Sequence, residues 1–193
     1  MLKLLLRLLC KLAFKITGWK LRGHLPHHLN KFVIIVAPHT SAKDIPLGLA
    51  VKSVGHIEYV KYMMKAELFK APYGWFFRAL GGYPVDRSKN NNLVDAIVDI
   101  FNSKERFAIA IAPEGTRKRV EKLKSGFYYI AQKAGIPIVM VGFDFPSKTV
   151  KFSEAFYPSG NYEKDMQFIL KYFSGFTGAN PELGITQKHL PAG

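Results

Sequence analysis

His39 and Asp44 stand five positions apart in Ala37-Pro-His-Thr-Ser-Ala-Lys-Asp44, directly after the apolar run Phe32 to Val36. Histidine is the side chain whose charge changes near neutral pH, and a carboxylate close by can take the proton on one ring nitrogen and leave the other as a base. Further along, Phe107-Ala-Ile-Ala-Ile-Ala112 runs into Pro113-Glu-Gly-Thr-Arg117. There Arg117 can fork two bonds to a phosphate, Gly115 lets the backbone turn or come close to a ligand, and Thr116 adds a hydroxyl donor. A base at one strand tip and an anion clamp at another suit transfer of an acyl group onto the hydroxyl of a phosphorylated acceptor.

No serine lies in a nucleophile-elbow setting. Ser41 is the nearest hydroxyl to His39 and is better placed to cap a helix than to attack. The substrate's own hydroxyl is then the nucleophile, deprotonated by His39. Neither Cys10 nor any His/Cys/Asp cluster has metal-ligand spacing, and the chain lacks a GxxxxGK[ST] phosphate loop. No metal and no cofactor is expected. The duller readings are a structural histidine and a solvated basic turn.

Strands must deliver these groups, and the alternation of apolar runs with helical patterns reads as α/β: one domain with a central, mostly parallel or mixed sheet flanked by helices. Phe32 to Val36, Ile57 to Met63, Phe107 to Ala112, Ile136 to Phe143 and Thr149 to Phe156 are the expected strands. Helices are expected over Ile45 to Val54, capped by Asp44, over Ala71 to Leu80, from one of Asn90 to Asn92 to about Asn102, over Ser125 to Ala134 and over Asn161 to Phe173. Trp75, Phe76 and Tyr83 read as packing residues. Lys20 to Lys31 reads as a linker, and the tail from Gly175 to Gly193 gives no clear pattern.

The 193 residues and 48% hydrophobic content allow one sizeable core. With 28 basic against 14 acidic side chains the net charge is +14, a field that draws in polyanions. No reading helix, zinc site or aromatic-basic sheet pattern points to nucleic acid, so anionic lipid is the expected partner. In Met1 to Thr17, Lys3, Arg7, Lys11 and Lys15 recur every four positions and form one stripe on a helix whose other faces are apolar. Residues 1–22 are thus expected to lie in a membrane interface, ahead of a catalytic domain over 23–193, and a charge at every turn argues against a spanning segment. The bland alternative is a helix packed on its own domain. A peripheral, monotopic place on the cytoplasmic face of a membrane follows from the first reading, while oligomeric state stays open.

His39-Thr-Ser-Ala-Lys-Asp44, Gly82-Tyr-Pro-Val-Asp-Arg87, Glu114-Gly-Thr-Arg117 and Ile136-Pro-Ile-Val139 resemble, in order and spacing, the four blocks of the glycerolipid acyltransferase family. The resemblance implies transfer from acyl-CoA or acyl carrier protein to a lysophospholipid hydroxyl, foremost that of a 1-acylglycerol-3-phosphate. It implies His39 as base, Asp44 as its orienting partner, Arg87 and Arg117 on the acceptor's phosphate with Glu114, Gly115 and Thr116 in the same pocket, and Pro137 near the acyl chain. Pro38, Lys43, Ala112 and Met140 depart from residues frequent in the family, at positions that bear on acceptor and chain length. Two rivals stay in view: an amine acceptor at the same site, and an idle protein that only binds anionic lipid.

Overall fold

The computed structural model describes residues 2–85 and 93–185. Seven strands form one sheet in the order β1-β7-β6-β2-β5-β3-β4. They are β1 (Lys20–Gly23), β2 (Lys31–Ala37), β3 (Lys61–Lys65), β4 (Gly82–Val85), β5 (Phe107–Ile111), β6 (Ile138–Asp144) and β7 (Thr149–Phe156). β6, β2, β5, β3 and β4 run parallel; β7 lies antiparallel to β6, with β1 parallel to it at the edge. The sheet is therefore mixed, in an α/β domain.

Alternation along the central strands separates two cores. Val33, Ile35, Ile109, Ile138 and Met140 face α4 (Leu93–Asn102), α5 (Gly126–Ala134) and α6 (Tyr162–Phe173). Phe32, Ile34, Ala108, Val139 and Val141 face α1 (Leu2–Thr17) and α2 (Asp44–Val54). The helix ends follow local chemistry. Asn161 caps α6 by accepting the Lys164 N–H at 3.1 Å, and Gly135 closes α5 with φ at 63°, a conformation that favours glycine.

Several expectations are corrected. The segment read as a linker contains β1, so the boundary expected between residues 22 and 23 falls inside a strand of the sheet. β4 was not foreseen, and Ile57 and Val60 are buried in the turn before β3 rather than in a strand. Trp75 and Phe76, on α3 (Gly74–Ala79), are 71% and 47% exposed, not core; Tyr83 does pack, edge-on to Phe107 at 5.4 Å between centroids. The cap expected from Asn90 to Asn92 lies outside the described residues.

One face of α1 packs on its own domain, as the blander reading of the N-terminal segment had it. Arg7 turns inward and pairs with Glu58 at 2.7 Å, and Phe14, two turns on, is buried against the α2 side of the sheet. Leu4, Leu5, Leu8, Leu9, Leu12 and Ile16 are all more than half exposed on the outer faces. Among the described residues, no helix is long and apolar enough to cross a membrane.

Candidate active site

β2 and β5 are neighbours, and the chain leaves them in opposite directions: from β2 to α2 on one face, and from β5 to α5 on the other. Diverging connections open a crevice at the carboxyl ends of the two strands, the usual ligand position in parallel α/β sheets. His39 follows β2, and Pro113 to Arg117 follow β5.

His39 Nδ1 lies 3.0 Å from Asp44 Oδ2. The same oxygen accepts the Ser41 N–H at 3.0 Å, and the carboxylate is buried. Asp44 therefore does not cap its own helix; it faces back over the turn and holds the ring. Nor does Ser41 cap the helix: its hydroxyl accepts the Lys43 N–H at 3.2 Å within the preceding turn, and the helix start at Lys43 has no side-chain cap. With Nδ1–H donating to Asp44, Nε2 carries the lone pair, and His39 lines the cavity. Asp44 also sits in the first turn of α2, where a negative charge meets the positive end of the helix dipole.

Glu114 crosses from the β5 tip to the β2 tip. Its Oε2 accepts the backbone N–H of His39 at 2.7 Å, and the side chain is buried. The structure thus gives it a tie between the two loops, whereas phosphate binding was expected. An anionic group there repels phosphate, so the tie is the physically consistent role. Glu114→Ala is expected to lower activity by about 10²-fold, because a base displaced by about 1 Å loses that much. Glu114→Gln, which keeps an accepting oxygen, restores most of it; kcat for the two purified variants is the measurement.

Gly115, Thr116 and Arg117 line the same cavity as His39, and Arg117 is exposed at its rim. Gly115 has φ at 68°, and a side chain there meets Lys124 at 2.7 Å. Its N–H donates to Ala112 O at 3.0 Å, and the His39 N–H is held by Glu114, so neither amide is free to receive an oxyanion. The Thr116 hydroxyl accepts the Lys118 N–H at 3.3 Å. Arg87 lies outside the described residues. Pro137 does not reach the site: it stands at the start of β6, where its carbonyl accepts the Val33 N–H at 3.0 Å, about 20 Å of strand away from the β2 tip.

The cavity has a volume of about 570 Å³, in the range of small-molecule sites, and runs between α2 and the sheet. Its existence follows from residue size. β5 places Phe107 and Ile109 toward α5 but Ala108 and Ala110 toward α2, and α2 contributes Gly48, where a Cβ stands 3.2 Å from the Tyr62 hydroxyl. Small side chains on both walls leave space that larger ones fill. Lys52 and Tyr62 line the cavity as well, and neither was foreseen. The alternation of large and small residues in Phe107 to Ala112 was the available signal for the cavity.

The C-terminal segment, in which no pattern was legible, braces the histidine loop. Asn180 donates from its backbone N–H to Thr40 Oγ1 at 3.0 Å and from Nδ2 to Thr40 O at 2.7 Å. Gly178 packs so closely that a Cβ there comes within 2.6 Å of the Thr40 hydroxyl.

Comparison with known proteins agrees with this geometry. Residues 20–144, from β1 through β6 and across both strand-tip motifs, match the family model described as Acyltransferase. A 1-acyl-sn-glycerol-3-phosphate acyltransferase of Saccharomyces cerevisiae is 29% identical over 150 residues, 70% of this chain and 44% of that protein. One from Streptococcus pneumoniae is 26% identical over 138 residues, 66% of this chain and 50% of that protein. The chain spans about half the length of these curated relatives. Among solved structures, the crystal structure of the 1-acyl-sn-glycerophosphate acyltransferase PlsC from Thermotoga maritima matches with a TM-score of 0.56 at 21% identity, over 90% of this chain and 77% of that one. That likeness is one of fold. The family model, which contains His39, Asp44 and Glu114 to Arg117, decides the assignment: the chain belongs to the acyltransferase family.

Proposed function

We propose that this protein moves a fatty acyl group from a thioester, acyl-CoA or acyl carrier protein, to the free hydroxyl of a 1-acylglycerol-3-phosphate, giving phosphatidic acid. The observation that carries the reading is the His39–Asp44 pair at 3.0 Å, set at the mouth of a largely apolar cavity whose rim holds Arg117. His39 Nε2 takes the hydroxyl proton as the oxygen attacks the thioester carbonyl, forming the new C–O bond. Asp44 stabilises the imidazolium through Nδ1. Collapse of the tetrahedral intermediate breaks the C–S bond, and the imidazolium returns its proton to the departing thiolate. Arg117, with Arg87 as the family blocks imply, holds the phosphate. The donor is already activated, so the reaction needs no cofactor.

The relatives named as acyltransferases of 1-acyl-sn-glycerol-3-phosphate support this choice of acceptor. The test is incubation with labelled acyl-CoA or acyl carrier protein and a panel of lysophospholipids and amine lipids, followed by separation of products. Labelled phosphatidic acid is the expected product. An N-acylated product redirects the reading to amines, and no labelled lipid of any kind ends it in favour of lipid binding alone.

The same proposal places the protein peripherally on the cytoplasmic face of a membrane. Support comes from the exposed leucines of α1 beside the exposed Lys11 and Lys15, and from Tyr73, Trp75 and Phe76, aromatic side chains that favour a lipid-water boundary. Leu8→Asp and Leu12→Asp are each expected to weaken binding to anionic vesicles by about tenfold or more, since burying a leucine is worth about 1.5–3 kcal/mol. Sedimentation with vesicles measures it; unchanged partitioning of the double variant removes α1 from the contact.

A further inference from the structure

Three consecutive residues of the histidine loop are each held by a side chain from a different part of the chain. Glu114 accepts the His39 N–H, Asp44 accepts the Ser41 N–H, and between them the Thr40 carbonyl accepts from Asn180 Nδ2 at 2.7 Å. Thr40 itself is 2% exposed. The first two ties come from inside the span that the acyltransferase family model matches; the third comes from beyond it.

Asn180 is itself fixed. Thr177, just before it in the chain, is bound to the end of β6 and the turn that follows: its N–H donates to Asp144 Oδ1 at 2.9 Å, and its carbonyl accepts the Phe145 N–H at 2.9 Å. Ile185, on the other side, is buried in the core with α5 and α6. The amide therefore meets Thr40 from a segment anchored at both ends, and the opposite orientation of that amide sets two acceptors face to face.

The tie reaches further than the loop. A trans peptide group is planar, with its carbonyl and N–H pointing opposite ways. Asn180 thus holds one end of the peptide between Thr40 and Ser41, and Asp44 Oδ2 holds the other at 3.0 Å. The same Oδ2 takes the His39 Nδ1–H at 3.0 Å. Asp44 Oδ1 is buried and has no hydrogen-bond partner among the described residues, so the Ser41 N–H is the backbone contact that keeps the carboxylate turned toward the ring. Bonds joined through one peptide polarise each other: a donor on the Thr40 carbonyl strengthens the Ser41 N–H as a donor to Asp44.

Building on the acyl-transfer reading, we propose that Asn180 is a positioning residue for the base: acting through the peptide between Thr40 and Ser41, it sets the bond from Ser41 to Asp44 and so the orientation of the His39 ring. Neither Thr40 nor Asn180 lines the cavity, so the effect falls on the chemical step and leaves substrate binding alone.

Asn180→Ala is expected to lower kcat for phosphatidic acid formation by about tenfold, the scale of one hydrogen bond, with KM close to wild type. The same substitution in the Asp44→Ala background is expected to cost little more, because the ring it steers is already free there. A loss of equal size in both backgrounds is what general loosening of the fold gives, and it overturns the proposal while leaving acyl transfer standing; so does unchanged kcat in Asn180→Ala. A second measurement needs no turnover. Nitrogen NMR of the protein with labelled histidine rings, at about pH 8 where an ordinary histidine is neutral, reads which ring nitrogen carries the proton. The signal absent from His39→Ala belongs to residue 39. His39 is expected to hold its proton on Nδ1 in wild type and to divide it between both nitrogens in Asn180→Ala. That change supports the positioning role even where no acyl transfer is found, and ring signals identical in the two proteins overturn it.

Discussion

His39→Ala is expected to lower acyl transfer by about 10²- to 10⁴-fold, the usual worth of a positioned general base. The ring is partly exposed at the cavity mouth and makes one side-chain bond, to Asp44, so its removal leaves the core untouched. The thermal midpoint and vesicle binding are therefore expected to stay close to wild type. Phosphatidic acid formation from labelled acyl-CoA, set beside a melting curve, separates loss of chemistry from loss of fold. Turnover retained within a few-fold of wild type removes His39 as the base.

Asp44→Ala carries the second large effect, a loss of about 10²-fold or more. One oxygen, Oδ2, receives both the His39 Nδ1–H and the Ser41 N–H. Alanine leaves both donors without an acceptor and frees the ring to turn, and it also removes the charge that stabilises the imidazolium. Asp44→Asn separates these contributions. Its amide oxygen can occupy the Oδ2 position and keep both bonds, so the geometry survives and the charge alone is lost. Activity of the asparagine variant is expected to lie between wild type and alanine. Equal kcat for the two variants assigns the whole effect to charge, and full activity in Asp44→Asn assigns it to geometry.

The parts of this molecule legible in the sequence are those where one local rule dominates. β6 and the body of β2 and β5 follow from apolar runs, and α5 and α6 from periodicity with Gly135 and Asn161 at their ends. The His39–Asp44 pair was legible because both members lie in one turn. β1 and β4 were not, because short edge strands of Lys-Leu-Arg-Gly and Gly-Tyr-Pro-Val carry no buried alternation and owe their form to the neighbouring strand. Ile57 and Val60 misled because an apolar run fits a buried turn as well as a strand. The family resemblance implied Glu114 in the phosphate pocket; only the tertiary fold brings it to the His39 amide. Lys52 and Tyr62 meet across helix and strand, a juxtaposition that neither local pattern contains.

β5 has a consequence for how such a protein can change. Its large residues, Phe107 and Ile109, belong to the core under α5, while Ala108 and Ala110 belong to the other face. Foldability and cavity shape are thus written on alternate positions of one strand. A lineage can exchange alanine for valine at position 110 and narrow the cavity while the packing under α5 stays as it was, so the space beside His39 changes through single substitutions that leave the scaffold intact.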